Sequence, residues 1–404
     1  MSEELLQRFA ELAVRVGVNV QPGQGVVVTA DVAQAEIARA VVERAYVSGA
    51  SWVEVLWSDA VVRRSDLTHA DLETLTADRP WALERTRGWA EDGIASIALV
   101  GTPDPNLYAG IDPVRVAAVR MQETMVRQQA VMSGRWRWTV VTAPNADWAT
   151  QVFGEPDIDR LWEVVAQAMR LNETDPVEAW RERSAALAAR CAALDALQIS
   201  EIRYVGEGTD LTVGLLPDCR WTGGSTVDPA GIRYLPNIPT EEVFTSPDRR
   251  RAEGEVRLTK PVVIAGQLVE GLRLTFADGR ITEVSATTGA DVVRSQLDTD
   301  PGARSLGEVA LVDKESRIAQ AGLVFHNTLF DENAGCHVAW GQGFPFAVES
   351  GLQMTPDERY ALGLNNSTVH TDVVLGGEGL TVTATTPGGP VVLLRDDTWV
   401  LPAS

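Results

Sequence analysis

Carboxylates and histidines in the C-terminal half of this 404-residue chain are grouped where they could hold a cation. There are four histidines, His69, His326, His337 and His370, and three of them fall between positions 326 and 370. Four segments stand out. In Asn237-Ile238-Pro239-Thr240-Glu241-Glu242-Val243-Phe244-Thr245-Ser246-Pro247-Asp248, two prolines impose an extended or turn-like path. The paired carboxylates there could bind metal or could line a solvated turn. In Leu306-Gly307-Glu308-Val309-Ala310-Leu311-Val312, one Glu interrupts an apolar run. Either Glu308 occupies the wet face of a strand, or it is buried, which is costly unless a partner or cation compensates.

The third segment, Leu329-Phe330-Asp331-Glu332-Asn333-Ala334-Gly335-Cys336-His337-Val338-Ala339-Trp340-Gly341, packs acids, Asn and His between apolar runs. Glu332 and His337 are five apart, a spacing that suits neither one helix face nor one strand face, so a curved loop must bring them together. Cys336 would point away from His337 in a strand and reads as structural. In the fourth, Asn365-Asn366-Ser367-Thr368-Val369-His370-Thr371-Asp372-Val373-Val374-Leu375-Gly376, His370 and Asp372 are two apart and share one face of a strand. That pair alone could equally be a surface feature.

Together the segments supply Glu, Glu, Glu, His, His and Asp. Oxygen-rich ligands with a few imidazoles suit zinc, cobalt, manganese or magnesium. Six ligands exceed the three protein ligands of a mononuclear catalytic zinc site and suit two ions about 3.5–4 Å apart.

The elements that must position these residues fall into two patterns. Up to about residue 150, apolar runs at Gly25 to Ala30, Trp52 to Trp57, Ile94 to Val100 and Trp138 to Thr142 read as strands, with helical periodicity over residues 34–47. The glycines of Gln21-Pro22-Gly23-Gln24-Gly25 precede their strand, so they do not form a phosphate-binding loop. A long helix is expected over residues 175–197. Beyond Glu201, short strand-like runs recur at Leu211 to Leu216, Val256 to Leu258, Leu272 to Phe276, Val382 to Thr386 and Val391 to Leu394, separated by turn-forming residues. The expected fold class is α/β: an N-terminal α/β domain with a mainly parallel sheet over residues 1–185, and a strand-rich α+β C-terminal catalytic domain over residues 186–404 that binds the metal.

Composition excludes several roles. A formal net charge of -21 repels a phosphate backbone, so nucleic acid is not an expected partner. The same charge serves solubility, and it could favour a cationic ligand such as a free amino terminus. No apolar run is long enough to span a membrane. The acidic start Met1-Ser2-Glu3-Glu4 lacks a signal core, and Cys191, Cys219 and Cys336 form no disulfide or zinc pattern. A cytoplasmic location is expected.

On the four segments the chain resembles the metal-dependent aminopeptidases of the aminopeptidase T type, which include aminopeptidase S. The shared patterns are Asn-x-Pro-Thr-x-Glu-Val-Phe-Thr-x-Pro at 237–247, Gly-Glu-x-Ala-Leu-Val at 307–312, Asn-Thr-Leu-Phe-Asp-Glu-Asn-Ala-x-x-His at 327–337 and Asn-x-Ser-x-x-His-x-Asp at 365–372. Less specific similarity at Trp81, Trp89 and Trp148-Ala149 extends the resemblance over nearly the whole chain. It implies Glu242, Glu308, Glu332, His337, His370 and Asp372 as ligands of two divalent ions. It also implies hydrolysis of peptides with a free amino terminus and a homodimer. One position departs: the family's Tyr, seven residues after the first His, is Phe344 here. A Phe cannot donate to a developing oxyanion, and loss of one such donor typically costs about 10²–10³ in rate.

Two rivals share this scaffold. A mononuclear Fe(II) ring-cleaving dioxygenase would need only His337, His370 and Asp372, leaving Glu242, Glu308 and Glu332 without a purpose. A weakly active peptide-binding homologue is suggested by Phe344 and opposed by the intact ligand set.

Overall fold

The computed structural model describes residues 1–402 apart from 103, 105, 106, 117, 119, 120 and 133. The chain divides into two compact units, Met1–Glu182 with Ser225–Pro239, and Arg183–Gly224 with Thr240–Ser404. The division falls inside the helix Pro176–Ala196, close to the expected 175–197.

The first unit is built on the expected parallel sheet. Its strands β1 (Gly25–Asp31), β2 (Trp52–Ser58), β3 (Ala95–Val100) and β4 (Arg137–Thr142) lie in the order β2-β1-β3-β4. Val26, Val27 and Val28 are all buried, so β1 is covered on both faces, as parallel strands require. The crossover from β1 starts at Asp31, whose side chain accepts from Ala33 N while Gln34 reaches back in a capping box. A fifth strand, β5 (Asn237–Ile238), joins β4 in parallel through Val140–Asn237 and Val141–Ile238. The excursion that brings it there is fixed by a buried ion pair between Arg137 and Asp228 at 2.6 Å. The second oxygen of Asp228 accepts from Ala230 N and Ile232 N.

The second unit is antiparallel. An eight-stranded sheet runs in the order Arg280–Ser285, Arg273–Ala277, Pro247–Arg257, Thr209–Leu215, Glu201–Gly206, Thr381–Thr386, Gly389–Arg395, Thr398–Trp399. A four-stranded sheet consists of β6 (Val243–Thr245), β7 (Leu306–Leu311), β8 (His337–Gly341) and β9 (His370–Val374), in that order. Residues of both sheets enter one hydrophobic cluster that includes Tyr204, Val213, Val309, Leu311, Val338, Trp340 and Val373.

Register in the smaller sheet decides which side chains leave that core. Glu308 stands opposite Ala339, which stands opposite Asp372; His337 faces Ala310 and Val374, and Gly341 faces His370. Opposed residues share a face, and so do residues two apart. Glu308, His337, His370 and Asp372 therefore emerge on one face, while Val309, Leu311, Val338, Trp340 and Val373 enter the core from the other. The register shifts between Leu306 and Glu308, because a bulge at Gly307 lets Leu306 join the core despite being two residues from Glu308. A Cβ on Gly307 would stand 2.3 Å from Gln342 O, so the close approach at this bulge needs glycine.

Candidate metal centre

Each of the six anticipated residues belongs to the second unit. Glu242 immediately precedes β6, Glu308 is in β7, Glu332 opens a single 3₁₀ turn Glu332–Ala334, His337 starts β8, and His370 and Asp372 lie in β9. The strand β7 is buried along its whole length, and Glu308 is only 4% exposed. Its wet-face alternative is thereby removed. Glu241 and Glu242 are also buried, so their segment is not a solvated turn.

Glu242, Glu308 and His337 each offer a ligand atom, all within 4.8 Å of one another, and so do Glu308, His370 and Asp372. Glu308 belongs to both groups. His337 Nε2 lies 3.0 Å from Glu242 Oε2 and 3.9 Å from Glu308 Oε1. His370 Nε2 lies 3.2 Å from Glu308 Oε2 and 3.4 Å from Asp372 Oδ1. Glu332 enters neither three-residue group. Burial raises its pKa well above the carboxylate range, and the charges of Asp372, Glu242 and Glu308 add to that while His337 opposes it. Its carboxylate is therefore electrostatically part of the same cluster.

The donor set fits a cation. His337 Nδ1 lies 3.2 Å from Gly335 O, and His370 Nδ1 lies 2.8 Å from Gln342 O. A carbonyl oxygen only accepts, so each Nδ1 carries the proton. Each Nε2 then faces carboxylate oxygens either as a second N–H or as a lone pair, and a lone pair beside a carboxylate needs a shared cation. Glu242 Oε2, although 3.0 Å from His337 Nε2, is buried and accepts no aligned hydrogen bond from the described residues.

In the protein alone a proton serves where a metal could. Burial disfavours charge on His337, but Glu242, Glu308 and Asp372 outweigh it and hold its pKa at about 10. His370 is likewise raised, against its own burial, by Asp372 and Glu308. Burial pushes Glu308 up to about 7, with Asp372 and Glu242 adding to the shift and His370 opposing it. For Asp372, burial is overcome by His370 and His337, and its pKa falls below the usual range. Four carboxylates crowded with two imidazoles are the arrangement expected of an ion site.

Several supporting residues were not anticipated individually. Asn333, fully buried, accepts from Glu241 N through Oδ1 at 2.6 Å and donates to Leu329 O, tying the segment before β6 to the turn of Glu332. Glu241 itself pairs with Arg183 at 2.7 Å. Gln342 supplies the carbonyl that orients His370, and its side chain accepts from Ser367 N. The one signal in sequence was the presence of amides inside otherwise apolar segments. Cys336 is buried with Sγ against Val312, in the structural role expected. His69 and His326 enter neither ligand group.

Phe344 does stand at the centre. Its ring centroid is 5.0 Å from that of His370, and it packs on Phe346 at 5.1 Å and Phe244 at 5.5 Å. Its backbone N–H donates to Ser246 Oγ.

The family described as thermophilic metalloprotease (M29) matches residues 2–399. The chain is 39% identical over 406 residues to aminopeptidase T of Thermus aquaticus, covering 98% of this chain and 99% of that one. It is 38% identical over 394 residues to aminopeptidase 2 of Geobacillus stearothermophilus, covering 96% and 95%. A solved structure of wild-type AmpT from Thermus thermophilus superposes with a TM-score of 0.91 at 37% identity, covering 98% of this chain and 99% of that one.

Proposed function

The chain belongs to the M29 family of thermophilic metalloproteases, and on that premise we propose that it is a metallo-aminopeptidase holding two divalent ions, of zinc, cobalt, manganese or magnesium. Glu242, Glu308, Glu332, His337, His370 and Asp372 would hold them. The observation that carries this reading is the membership of Glu308 in both ligand groups, one oxygen toward His337 and the other toward His370. A carboxylate so placed could serve as a ligand in both ion sites. Charge supports the count: four carboxylates with two neutral imidazoles carry -4, which two dications neutralise. A mononuclear iron site would leave the buried Glu242 and Glu308 uncompensated, which disfavours the dioxygenase alternative.

When bound, the ions supply a water acidified to a pKa of about 7 and polarise the scissile carbonyl. The protein does the rest. The carbonyls of Gly335 and Gln342 fix the imidazole tautomers so that both Nε2 atoms face inward. A carboxylate of the cluster takes up the proton released on attack and returns it to the leaving amine. The acidic surroundings favour a substrate's protonated α-amino group. The resemblance supports a homodimer, and three cysteines without a disulfide or zinc pattern suit a reducing, cytoplasmic compartment. Among the described residues no helix is long and apolar enough to cross a membrane.

The test of exopeptidase action is a comparison of a leucyl peptide with its N-acetylated form. The free peptide should be cut from its amino end and the blocked one should resist. Equal rates would overturn the aminopeptidase reading.

A further inference from the structure

We infer that Asp300 is a positioning residue for the metal centre: it ties the turn that delivers His370 and Asp372 to the loop that delivers Glu308. This rests on the metal-binding reading above and concerns a residue outside the four segments that carry it.

The need arises from topology. β9 carries two of the ligands, yet it is the edge strand of its sheet and, among the described residues, forms a strand ladder with β8 alone. His370 is its first residue and its side chain is partly exposed. Pairing with β8 reaches His370 through Gly341; something beyond that ladder must fix the turn before it. The segment 365–369 does so by bonding back to residues 300–305 and to Gln342.

Asp300 is the hub of that bonding. Its Oδ1 accepts from Gly302 N at 2.8 Å and Ala303 N at 3.0 Å, which folds the loop leading into β7. Its Oδ2 accepts from Ser367 Oγ at 2.9 Å, Thr368 N at 2.7 Å and Thr368 Oγ1 at 2.7 Å. One carboxylate thus takes five hydrogen bonds, two from one ligand-bearing arm and three from the other. Burial opposes its charge, but these donors prevail and hold the carboxyl below its usual range. Asn365 closes the junction, its Nδ2 reaching the carbonyls of Gly302, Ser305 and Gly341. A Cβ on Gly302 would stand 2.0 Å from Asn366 O, so the two arms touch backbone to backbone. Gln342 then joins this junction to the ligand itself, accepting from Ser367 N and orienting His370 Nδ1. The Ser and Asn of the Asn-x-Ser-x-x-His-x-Asp pattern are explained by these contacts.

The substitution Asp300→Asn keeps the Oδ1 acceptor and removes the Oδ2 acceptor, with little change in volume. The probe is Co²⁺ alone, added to metal-free full-length protein and followed by its visible absorption; kcat and KM are measured afterwards on the loaded enzyme. Asp300→Asn should retain a cooperative thermal transition, bind Co²⁺ about 10–100-fold more weakly with an altered spectrum, and lose kcat more than KM. Thr368→Val removes one Oδ2 donor without altering the carboxylate. It should weaken Co²⁺ binding by a smaller factor, so the proposal is testable even if Asp300→Asn does not fold. Wild-type Co²⁺ affinity and spectrum in a folded Asp300→Asn, or in Thr368→Val if only that variant folds, would overturn the positioning role. Failure of the unaltered protein to bind Co²⁺ would instead overturn the metal reading on which it rests.

Discussion

Glu308 and His370 meet across a strand to which neither belongs: Glu308 Oε2 lies 3.2 Å from His370 Nε2, with β8 running between their own strands. The residue of β8 in register between Glu308 and Asp372 is Ala339, which is fully buried. A small side chain there leaves the space above the sheet to the ligands.

Enlarging that residue should therefore expel metal before it unfolds the protein. Ala339→Leu should cost about 1–3 kcal/mol of stability, as overpacking does, while abolishing stoichiometric metal binding. Denaturant unfolding together with elemental analysis of the purified variant checks this. A variant that keeps its full metal content would show that the ions do not sit over Ala339.

Metal binding should release protons and strengthen as pH rises. His337 in the metal-free protein stays protonated up to about pH 10, and His370 is raised in the same direction. A metal must displace those protons, about one from each imidazole, so proton competition weakens as pH climbs. The stability of the metal-free protein runs the opposite way with pH. The contribution of His337 is fully present below its unfolded pKa of about 6.5 and is lost as pH rises through about 10. Calorimetry of Zn²⁺ binding in buffers of different ionisation enthalpy at pH 8 measures the protons released. No release at that pH would contradict the protonation described.

Phe344→Tyr should raise kcat by about tenfold, equivalent to about 1.4 kcal/mol of barrier. The Phe344 ring already stands beside His370, so a hydroxyl there can donate to an oxyanion formed at the centre. KM should move less, because the bond strengthens in the transition state. Steady-state kinetics on one leucyl substrate at saturating metal decides it. A flat or reduced kcat would leave Phe344, with Phe244 and Phe346, as an apolar wall of the site.

Much of this arrangement was legible in the sequence, for identifiable reasons. β1 and β3 of the first unit are mainly apolar and mostly buried runs, which is how doubly covered parallel strands read, and the bounds of β1 to β4 needed little adjustment. His370 and Asp372 were placed on one strand face by their spacing alone. Glu308 was ambiguous because the bulge at Gly307 breaks the alternation that would have told a buried face from a wet one. A two-residue strand such as Asn237–Ile238 has no period to detect, so its return to the first sheet could not be read. Asp300 sits in Asp298-Thr299-Asp300-Pro301-Gly302, which reads as an ordinary turn. Its function depends on hydrogen bonds to residues 367 and 368 that local pattern does not encode. The ligand set as a whole came from resemblance, since each segment alone had an unremarkable alternative.

The central question is whether two ions, each with Glu308 among its ligands, would drive hydrolysis. Metal-free protein is titrated with Co²⁺ or Zn²⁺ while cleavage of a leucyl anilide is followed, with bound metal measured at each point. No hydrolysis is expected without metal, and activity should reach a plateau at two ions per chain, with Glu308→Gln losing more than about 100-fold in activity, beyond the loss typical of residues that only orient a ligand. Full activity in metal-free protein, or a plateau at one ion per chain with Glu308→Gln unimpaired, would contradict the two-ion reading.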